Sequence, residues 1–172
     1  MSKLVKKFIC YLFNVFALSV ILAIYVFQMT GVQGNSMEPE LKDGQRILVD
    51  KLIYKSKEPK RYDVIVFRYL YKDGEYYCKR IIGLPGETVQ ILNGAVYIDG
   101  EKLEEPFIRA PIEDAKRAES QILLGEDEYF VLGDNRNFSS DSREQDIGNV
   151  KRVQILGRAF AKLWPFDWIV HD

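Results

Sequence analysis

The sequence predicts a mainly β fold, in which one antiparallel β domain follows a single apolar helix. The helix is indicated by a charge-free stretch over residues 8–29. The β domain is indicated by short runs of β-branched and aromatic residues that alternate with Asp-Gly and Asn-Gly pairs, which are typical of hairpin turns. The chain has 172 residues, so about 140 follow the helix, which is enough for one domain with its own core.

The apolar stretch predicts a transmembrane helix over residues 8–29, because its 22 residues can cross a hydrocarbon core of about 30 Å. A cleavable secretory signal has a shorter apolar region of roughly 7–15 residues that ends at a small-x-small site. The nearby match to such a site, residues 17–19, lies in the middle of the stretch. A buried core helix is the other alternative, and the basic residues on one flank disfavour it.

We therefore expect a single-pass signal-anchor protein of the cytoplasmic membrane, with the lipid bilayer as a partner. Residues 1–7 carry three lysines and are expected to stay in the cytoplasm. Residues 30–172 then lie on the extracytoplasmic face as one β-rich domain.

The charge of the β domain argues against a nucleic-acid partner. Beyond the N-terminal lysines the chain has 21 basic and 25 acidic residues, a net charge of −4, whereas nucleic-acid-binding domains usually present clustered basic residues. No metal is expected, because Cys10 and Cys78 lack the paired spacing of a zinc site and His171 is the single histidine. Both cysteines are expected to remain free thiols, and His171 to be solvated near the chain end.

The first strands of the domain are expected over residues 47–54 and 63–69, on either side of a Lys- and Pro-rich link. Asp73-Gly74 and Asn93-Gly94 each lie between two apolar runs and predict two-residue hairpin turns, because both dipeptides tolerate positive φ angles. A third turn is expected at Asp99-Gly100.

The later part of the domain begins with a charged segment, residues 104–121, which contains two prolines and predicts a surface excursion with at most one helical turn. Strands are expected again over residues 128–132 and 153–163. An aromatic cluster follows, and its position in the core or against lipid is left open by the sequence. The cluster consists of Trp164, Pro165, Phe166 and Trp168.

A short stretch after the apolar helix, residues 34–41, places a serine close to the membrane surface. Ser36 beside glycine and asparagine is, taken alone, typical of an ordinary turn. A serine hydroxyl becomes a good nucleophile only when a neighbouring group takes its proton. A Ser-His-Asp triad would have to use His171, which its terminal position disfavours, so a lysine or a carboxylate is the expected base.

Lys79 differs from the other lysines because it lies in an apolar and aromatic strand, residues 76–82. Strand alternation places its side chain opposite to those of Cys78 and Arg80, so it can point inward. A lysine must be neutral to accept a proton, and burial lowers an amine pKa from about 10.4 by several units. Lys79 is therefore the candidate base.

A dense polar loop, residues 133–143, follows the apolar run that ends at Leu132. A solvated turn is the ordinary interpretation of such a loop. Its spacing also offers a second hydroxyl that can orient a base, together with Asp141 and an arginine that can form a bidentate ion pair.

Three blocks together resemble the sequence boxes of bacterial type I signal peptidases, the membrane-bound Ser/Lys proteases that remove signal peptides. The blocks are Ser-Met-Glu-Pro-Glu-Leu at residues 36–41, Lys-Arg-Ile-Ile-Gly-Leu-Pro-Gly at residues 79–86, and the loop over residues 133–143. The similarity runs from the anchor to the last strand, and the absence of large insertions resembles the compact Gram-positive type. The resemblance implies a signal-peptidase-like antiparallel β-sheet or barrel as the catalytic domain.

The resemblance also implies roles for individual residues. Ser36 would be the nucleophile, Lys79 the general base, and Ser139 the residue that orients the lysine. The remaining implied residues form two groups, a supporting ion-pair network and a substrate pocket. The network comprises Arg80, Asp141 and Arg143, and the pocket comprises Val32, Gln33, Leu41, Tyr77 and Cys78.

The sequence departs from the family pattern at two positions. Some relatives carry a serine two residues before the nucleophile, where this chain has Gly34, so the oxyanion is expected to depend on the backbone N–H groups of Ser36 and Gly34. Phe138 places an aromatic ring in the third block, where polar residues are common, and the sequence assigns it no role.

The expected function is cofactor-free hydrolysis by a Ser/Lys dyad through an acyl-enzyme. The resemblance implies that the substrates are exported preproteins with small residues one and three positions before the cut. Three alternatives are a catalytically silent relative that only binds, an extracytoplasmic β scaffold domain, and a self-cleaving repressor. The last would need a DNA-binding module, whose place the anchor occupies.

Overall fold

The fold was obtained as a computed structural model that describes residues 2–108 and 110–171. Residues 1, 109 and 172, which fall in the predicted cytoplasmic segment, surface excursion and catalytic domain, lie outside the described residues. The chain begins with helix α1, Lys3–Val26, and Ser2 caps it by accepting the N–H of Val5 at 3.4 Å. All side chains of α1 are exposed or partly exposed.

The helix is long and apolar enough to cross a membrane, but its end differs from the prediction. The expected span ended at residue 29, whereas the helix ends at Val26 and the next five residues form a strand. Apolar residues such as Phe27 and Met29 suit a helix or a strand equally well. Antiparallel pairing with the following strand, in the register Phe27↔Asp50, decides the outcome.

Most of the regular secondary structure after α1 is β-strand. In chain order they are β1 Phe27–Gly31, β2 Arg46–Asp50, β3 Val64–Arg68, β4 Tyr76–Gly83, β5 Thr88–Leu92, β6 Ala95–Ile98, β7 Glu101–Lys102, β8 Ile122–Leu123, β9 Glu128–Leu132, β10 Val150–Lys151, β11 Ile155–Leu163 and β12 Phe166–Trp168. A short helix, α2 Ile53–Ser56, follows β2, and 3₁₀ turns cover Lys116–Glu119, Arg136–Phe138 and Arg152–Gln154.

The strands form two antiparallel sheets, so the predicted mainly β class is confirmed. The large sheet has the order β1-β2-β11-β3-β4-β9-β10, with β12 paired to β11. Strand β11, from the C-terminal part of the chain, lies between β2 and β3. The small sheet has the order β7-β6-β5-β8. Residues 34–41 connect β1 to β2 and residues 133–143 lie between β9 and β10, so both segments leave the large sheet.

Two of the three predicted turns are confirmed as two-residue hairpin turns, whereas Asp73-Gly74 lies inside a longer loop, residues 69–75, between β3 and β4. Asn93 and Gly94 have φ angles of +49° and +79°, and they join β5 to β6. Asp99 turns the chain into β7 in the same way, with φ +52°. The strand expected over residues 47–54 is shorter than predicted, because the carboxylate of Asp50 accepts the N–H groups of Leu52 and Ile53 and starts α2.

Strand β3 separates two hydrophobic clusters. Val64 and Val66 enter one cluster, and Ile65 and Phe67 enter the other, as expected for a strand buried on both faces. The first cluster also contains Met37. The segment that carries Ser36 is thus anchored directly on the core.

The C-terminal segment answers one question that the sequence left open and corrects one expectation. The aromatic cluster is not core, because Trp164 is 84% exposed, Phe166 61% and Trp168 62%. His171, expected to be solvated, is partly buried, and its Nδ1 accepts the N–H of Val64 at 3.2 Å. The chain end folds back over β3, so a terminal position did not imply solvation.

Candidate active site

Lys79 and Ser36 are hydrogen-bonded to each other, with 2.6 Å between Nζ and Oγ. Lys79 is only 5% exposed, whereas Ser36 is half-buried and borders a cleft. Strand β4 holds Lys79 opposite Ile65 of β3, just before the point where β9 begins to pair at Arg80. The strand therefore carries the lysine into the protein while leaving its tip at the cleft.

Burial is the main influence on the Lys79 amine. Desolvation lowers the pKa of Lys79 from its usual value of 10.5, because a charged ammonium loses its hydration inside the protein. The carboxylates of Asp141 and Asp134 act in the opposite direction, but more weakly. A lowered pKa leaves a larger fraction of the amine neutral, which is the form that can accept a proton.

The segment around Ser36 is fixed on both sides. The carbonyl of Ser36 accepts the N–H of Asn135 at 3.0 Å, and the side chain of Asn135 donates to the carbonyl of Asn35 at 3.1 Å. Beyond Ser36, the N–H of Leu41 bonds to the carbonyl of Met37 at 2.8 Å, and both of these side chains are buried. The nucleophile candidate therefore lies on a turn that core packing and the third block hold in place.

The expected oxyanion donors are separated by the structure. Gly34 has a φ angle of +78°, and its N–H donates to Asp43 Oδ1 at 2.7 Å. This bond occupies the donor, which corrects the expectation for Gly34. Across residues 2–108 and 110–171, the N–H of Ser36 has no hydrogen-bond acceptor. Ser36 therefore remains the candidate backbone donor.

Ser139 lies close to the dyad but does not contact Lys79 in the expected way. Its Oγ is buried and has no hydrogen-bond partner among the described residues. A Cβ added at Gly133 would collide with both the Ser139 side chain and the Ser36 carbonyl, so these two groups border the same glycine. The hydroxyl is thus available near the dyad rather than bound to the lysine.

The predicted ion-pair network is two separate pairs. Arg80 forms a buried bidentate pair with Asp134, at 2.8 and 2.6 Å, and Arg143 forms another with Asp141, at 2.8 and 2.9 Å. Successive side chains of β4 leave the strand on opposite sides, so Arg80 cannot follow Lys79 toward Asp141. The register Arg80↔Leu132 instead brings Asp134 within reach.

Asp134 is therefore a site residue that the sequence analysis missed. Its signal was present, since it is the first acidic residue of the third block. The choice between Asp134 and Asp141 depended on the register of β4 against β9, which the sequence does not give.

The cleft beside the dyad has a volume of about 470 Å³. Four of the predicted pocket residues line it, namely Val32, Gln33, Tyr77 and Cys78. Leu41 does not, since it is 0% exposed and packs in the core below, where its bond to Met37 turns it inward. The lining residues that the sequence analysis did not propose are Thr30, Gly31, Asn35, Met37, Ile47, Val66, Gly74, Glu75, Tyr76, Phe138 and Ser140.

Strand β4 presents an open backbone edge to this cleft. Strand β3 pairs with it from Tyr76 to Arg80, whereas the described pairing with β9 covers only Arg80 to Gly83. The backbone of residues 76–79 therefore has a strand neighbour on one side and the cleft on the other. Such an edge can take up an extended peptide.

The cysteines do not compete for the role of nucleophile. Both are free, and burial raises the pKa of the Cys78 thiol to about 12, which keeps it protonated. Within the part of the chain that the structure describes, no cluster of three or more His, Cys, Asp or Glu side chains could hold a metal ion.

The family model described as "Signal peptidase, peptidase S26" matches residues 5–164. The chain belongs to this family. The match confirms the resemblance seen in the three blocks, and with it the prediction of a hydrolytic enzyme, a serine protease of the signal peptidase type.

Signal peptidases of several bacteria are similar to this chain over most of its length. Signal peptidase I of Bacillus amyloliquefaciens is 38% identical over 159 residues, which cover 88% of this chain and 84% of the relative. Signal peptidase I of Leptolyngbya laminosa is 40% identical over 161 residues, covering 87% and 77%. The probable signal peptidase I-2 of Synechocystis is 37% identical over 156 residues, covering 86% and 69%.

A solved structure supports the same relationship. The crystal structure of a signal peptidase I from Enterococcus faecalis V583 is 35% identical, with a TM-score of 0.50, and the similarity covers 59% of this chain and 97% of that chain. The predicted signal-peptidase-like fold is therefore confirmed.

Proposed function

We propose that this member of the signal peptidase family is a membrane-anchored serine endopeptidase that removes N-terminal signal peptides from exported preproteins. The observation that carries the proposal is the hydrogen bond between the buried Lys79 amine and the Ser36 hydroxyl, 2.6 Å long. The family supplies the substrate class, and the geometry supplies the candidate nucleophile and base.

The reaction begins when neutral Lys79 accepts the proton of Ser36 and the Ser36 oxygen attacks the scissile carbonyl. The oxyanion that develops on the carbonyl oxygen is stabilised by the N–H of Ser36. The Lys79 ammonium then protonates the leaving amine, and the mature protein departs. Water, activated by the same amine, hydrolyses the acyl-enzyme and releases the signal peptide.

Ser139 takes part as the residue that orients Lys79. While Ser36 is free, the amine bonds to Ser36, and the buried Ser139 Oγ has no partner among the described residues. Once Ser36 is acylated, its oxygen is a poorer partner. The Ser139 hydroxyl, which borders the same glycine as Ser36, then accepts a hydrogen bond from the amine and keeps it aimed at the ester.

The substrate lies in the cleft as an extended strand along the open edge of β4. Apolar side chains of the core reach the cleft between its two sides, namely Val32, Met37, Ile47 and Val66. We assign the small residues one and three positions before the cut to this apolar part of the cleft, as the resemblance implies. Shallow apolar pockets favour small side chains because larger ones clash with a packed core.

Helix α1 anchors the enzyme in the cytoplasmic membrane, with its lysine-bearing end in the cytoplasm and the β domain on the extracytoplasmic face. The exposed rings of Trp164, Phe166 and Trp168 rest on the lipid interface. This surface adjoins the helix end, because the ring centroid of Phe160 lies 6.2 Å from that of Trp168 and 5.5 Å from that of Phe27, the residue after the helix. Aromatic rings at helix ends commonly occupy this zone of a bilayer.

The test is cleavage of a purified preprotein by the full chain in detergent or lipid, with the cut mapped by mass spectrometry. Wild type is expected to cut after the small-x-small motif, and Ser36→Ala and Lys79→Ala are each expected to be inactive. Ser140→Ala and Lys72→Ala serve as matched controls, because Ser140 lines the same cleft and Lys72 is an exposed lysine near the tip of the β3–β4 hairpin. Activity retained in either dyad variant contradicts the assignment, and an inactive wild type supports a catalytically silent relative.

A further inference from the structure

Phe138 is an exposed aromatic residue at the cleft that the proposed mechanism does not use. Its side chain is 73% exposed, yet the residue lines the same cleft as Ser36 and Lys79. None of the aromatic pairs formed within the described ranges includes its ring. Fold stability therefore does not account for a phenylalanine at this position.

The backbone around Phe138 is held firmly. The side chain of Asn137 accepts the N–H of Glu113 at 3.0 Å and donates to the carbonyl of Pro111 at 3.2 Å. The N–H of Phe138 itself donates to the carbonyl of Asn135 at 3.0 Å. The surface excursion thus braces the backbone of this loop, so the ring projects at the cleft from a fixed position.

Phe138 also lies at one particular end of the cleft. Two chain segments, residues 30–35 and 74–78, border the cleft and lead to Ser36 and Lys79 respectively. Phe138 precedes Ser139, whose side chain borders the same glycine as the Ser36 carbonyl. The ring is therefore at the dyad end, and the two bordering segments extend away from it.

We propose that Phe138 determines specificity by contacting the first residue after the scissile bond and favouring an apolar side chain there. The inference rests on the proposed function, which assigns the residues before the cut to the part of the cleft between the two bordering segments. The chain after the cut must then leave past the dyad, where Phe138 presents an uncovered apolar face. An apolar side chain that covers this face removes apolar surface from water and so binds more tightly, whereas serine or aspartate gains no such affinity.

The test uses the full chain in detergent and three preproteins that differ only in the first mature residue, which is leucine, serine or aspartate. Phe138→Ala is expected to lower kcat/KM for the leucine substrate about tenfold, while the serine and aspartate substrates change by less than about twofold. Phe138→Tyr, which keeps the ring, is expected to restore the preference. Leu123→Ala is the matched control, because Leu123 is 72% exposed on the small sheet and is expected to affect none of the substrates.

Three results would overturn the inference while leaving the proposed function intact. An equal loss on all three substrates means that Phe138 has a structural role, and no loss means that the ring does not contact substrate. When the assay is repeated in lipid vesicles, a loss seen only there, together with weaker flotation of the variant with lipid, means that the ring contacts the bilayer. Failure of wild type to cut any of the substrates contradicts the proposed function itself.

Discussion

The amine of Lys79 ends 2.6 Å from the hydroxyl of Ser36, although the two residues are 43 positions apart in the chain. The β3–β4 hairpin delivers the lysine, and a turn anchored on Met37 delivers the serine. Such a contact places a titratable group where its charged form is poorly solvated. The arrangement therefore favours proton transfer at a cost to stability.

Replacement of Lys79 by methionine is expected to stabilise the β domain by about 1–2 kcal/mol while abolishing cleavage. Burial lowers the pKa of Lys79 in the folded state. Below this lowered pKa the folded protein therefore holds a buried ammonium group, at a cost to stability. This penalty declines as the pH rises toward 10.5, where the unfolded lysine also becomes neutral. The gain of the variant should therefore be largest at low pH and should shrink as the pH rises.

Urea unfolding of the full chain in micelles, at several pH values, measures this gain. Lys72→Met is the control, because Lys72 is exposed and its removal relieves no desolvation. A destabilised Lys79→Met variant, or a gain that grows with pH, would show that the amine is not desolvated.

Replacement of Asp134 by asparagine is expected to destabilise the domain by about 3–5 kcal/mol, because it leaves the Arg80 guanidinium buried without a counter-charge. Both side chains of this pair are at most 1% exposed. Asp73→Asn breaks the solvent-exposed pair with Arg68 and is expected to cause no measurable change in urea unfolding. Equal effects of the two substitutions would contradict a special role for the Arg80–Asp134 pair.

Replacement of Ser139 by alanine is expected to lower kcat about 10- to 100-fold with little change in KM, because a hydrogen bond to the lysine is lost during the reaction. Stability should be unchanged or slightly higher, since the buried Oγ has no partner among the described residues. Ser140→Ala is the control for a serine that lines the cleft. A loss of stability that parallels the loss of kcat would indicate a structural hydroxyl instead.

The sequence predicted the parts of the structure that depend on local chemistry. Asn93-Gly94 and Asp99-Gly100 form turns because these residue types tolerate the positive φ angles that the turns require. The lysine expected to point inward from an apolar strand, Lys79, is buried. The strand at Phe27 was missed, since apolar residues fit a helix and a strand alike until pairing with β2 decides.

Details of the site that depend on tertiary geometry could not be predicted. The partner of Arg80 depends on the register of β4 against β9, and the N–H of Gly34 is occupied by a carboxylate nine residues away, that of Asp43. Leu41 belonged to the right block, but the turn directs it into the core. In each case the residue type indicated a site residue, but the direction of its side chain or N–H group depended on tertiary geometry.

The pH dependence of preprotein cleavage under single-turnover conditions tests the Ser36–Lys79 dyad most directly. Because burial lowers the pKa of Lys79, the rate should rise with pH through an acidic limb whose midpoint lies well below 10.5, and then level off as the amine becomes neutral. A midpoint close to the free lysine value of about 10.4 would contradict a desolvated lysine acting as the base.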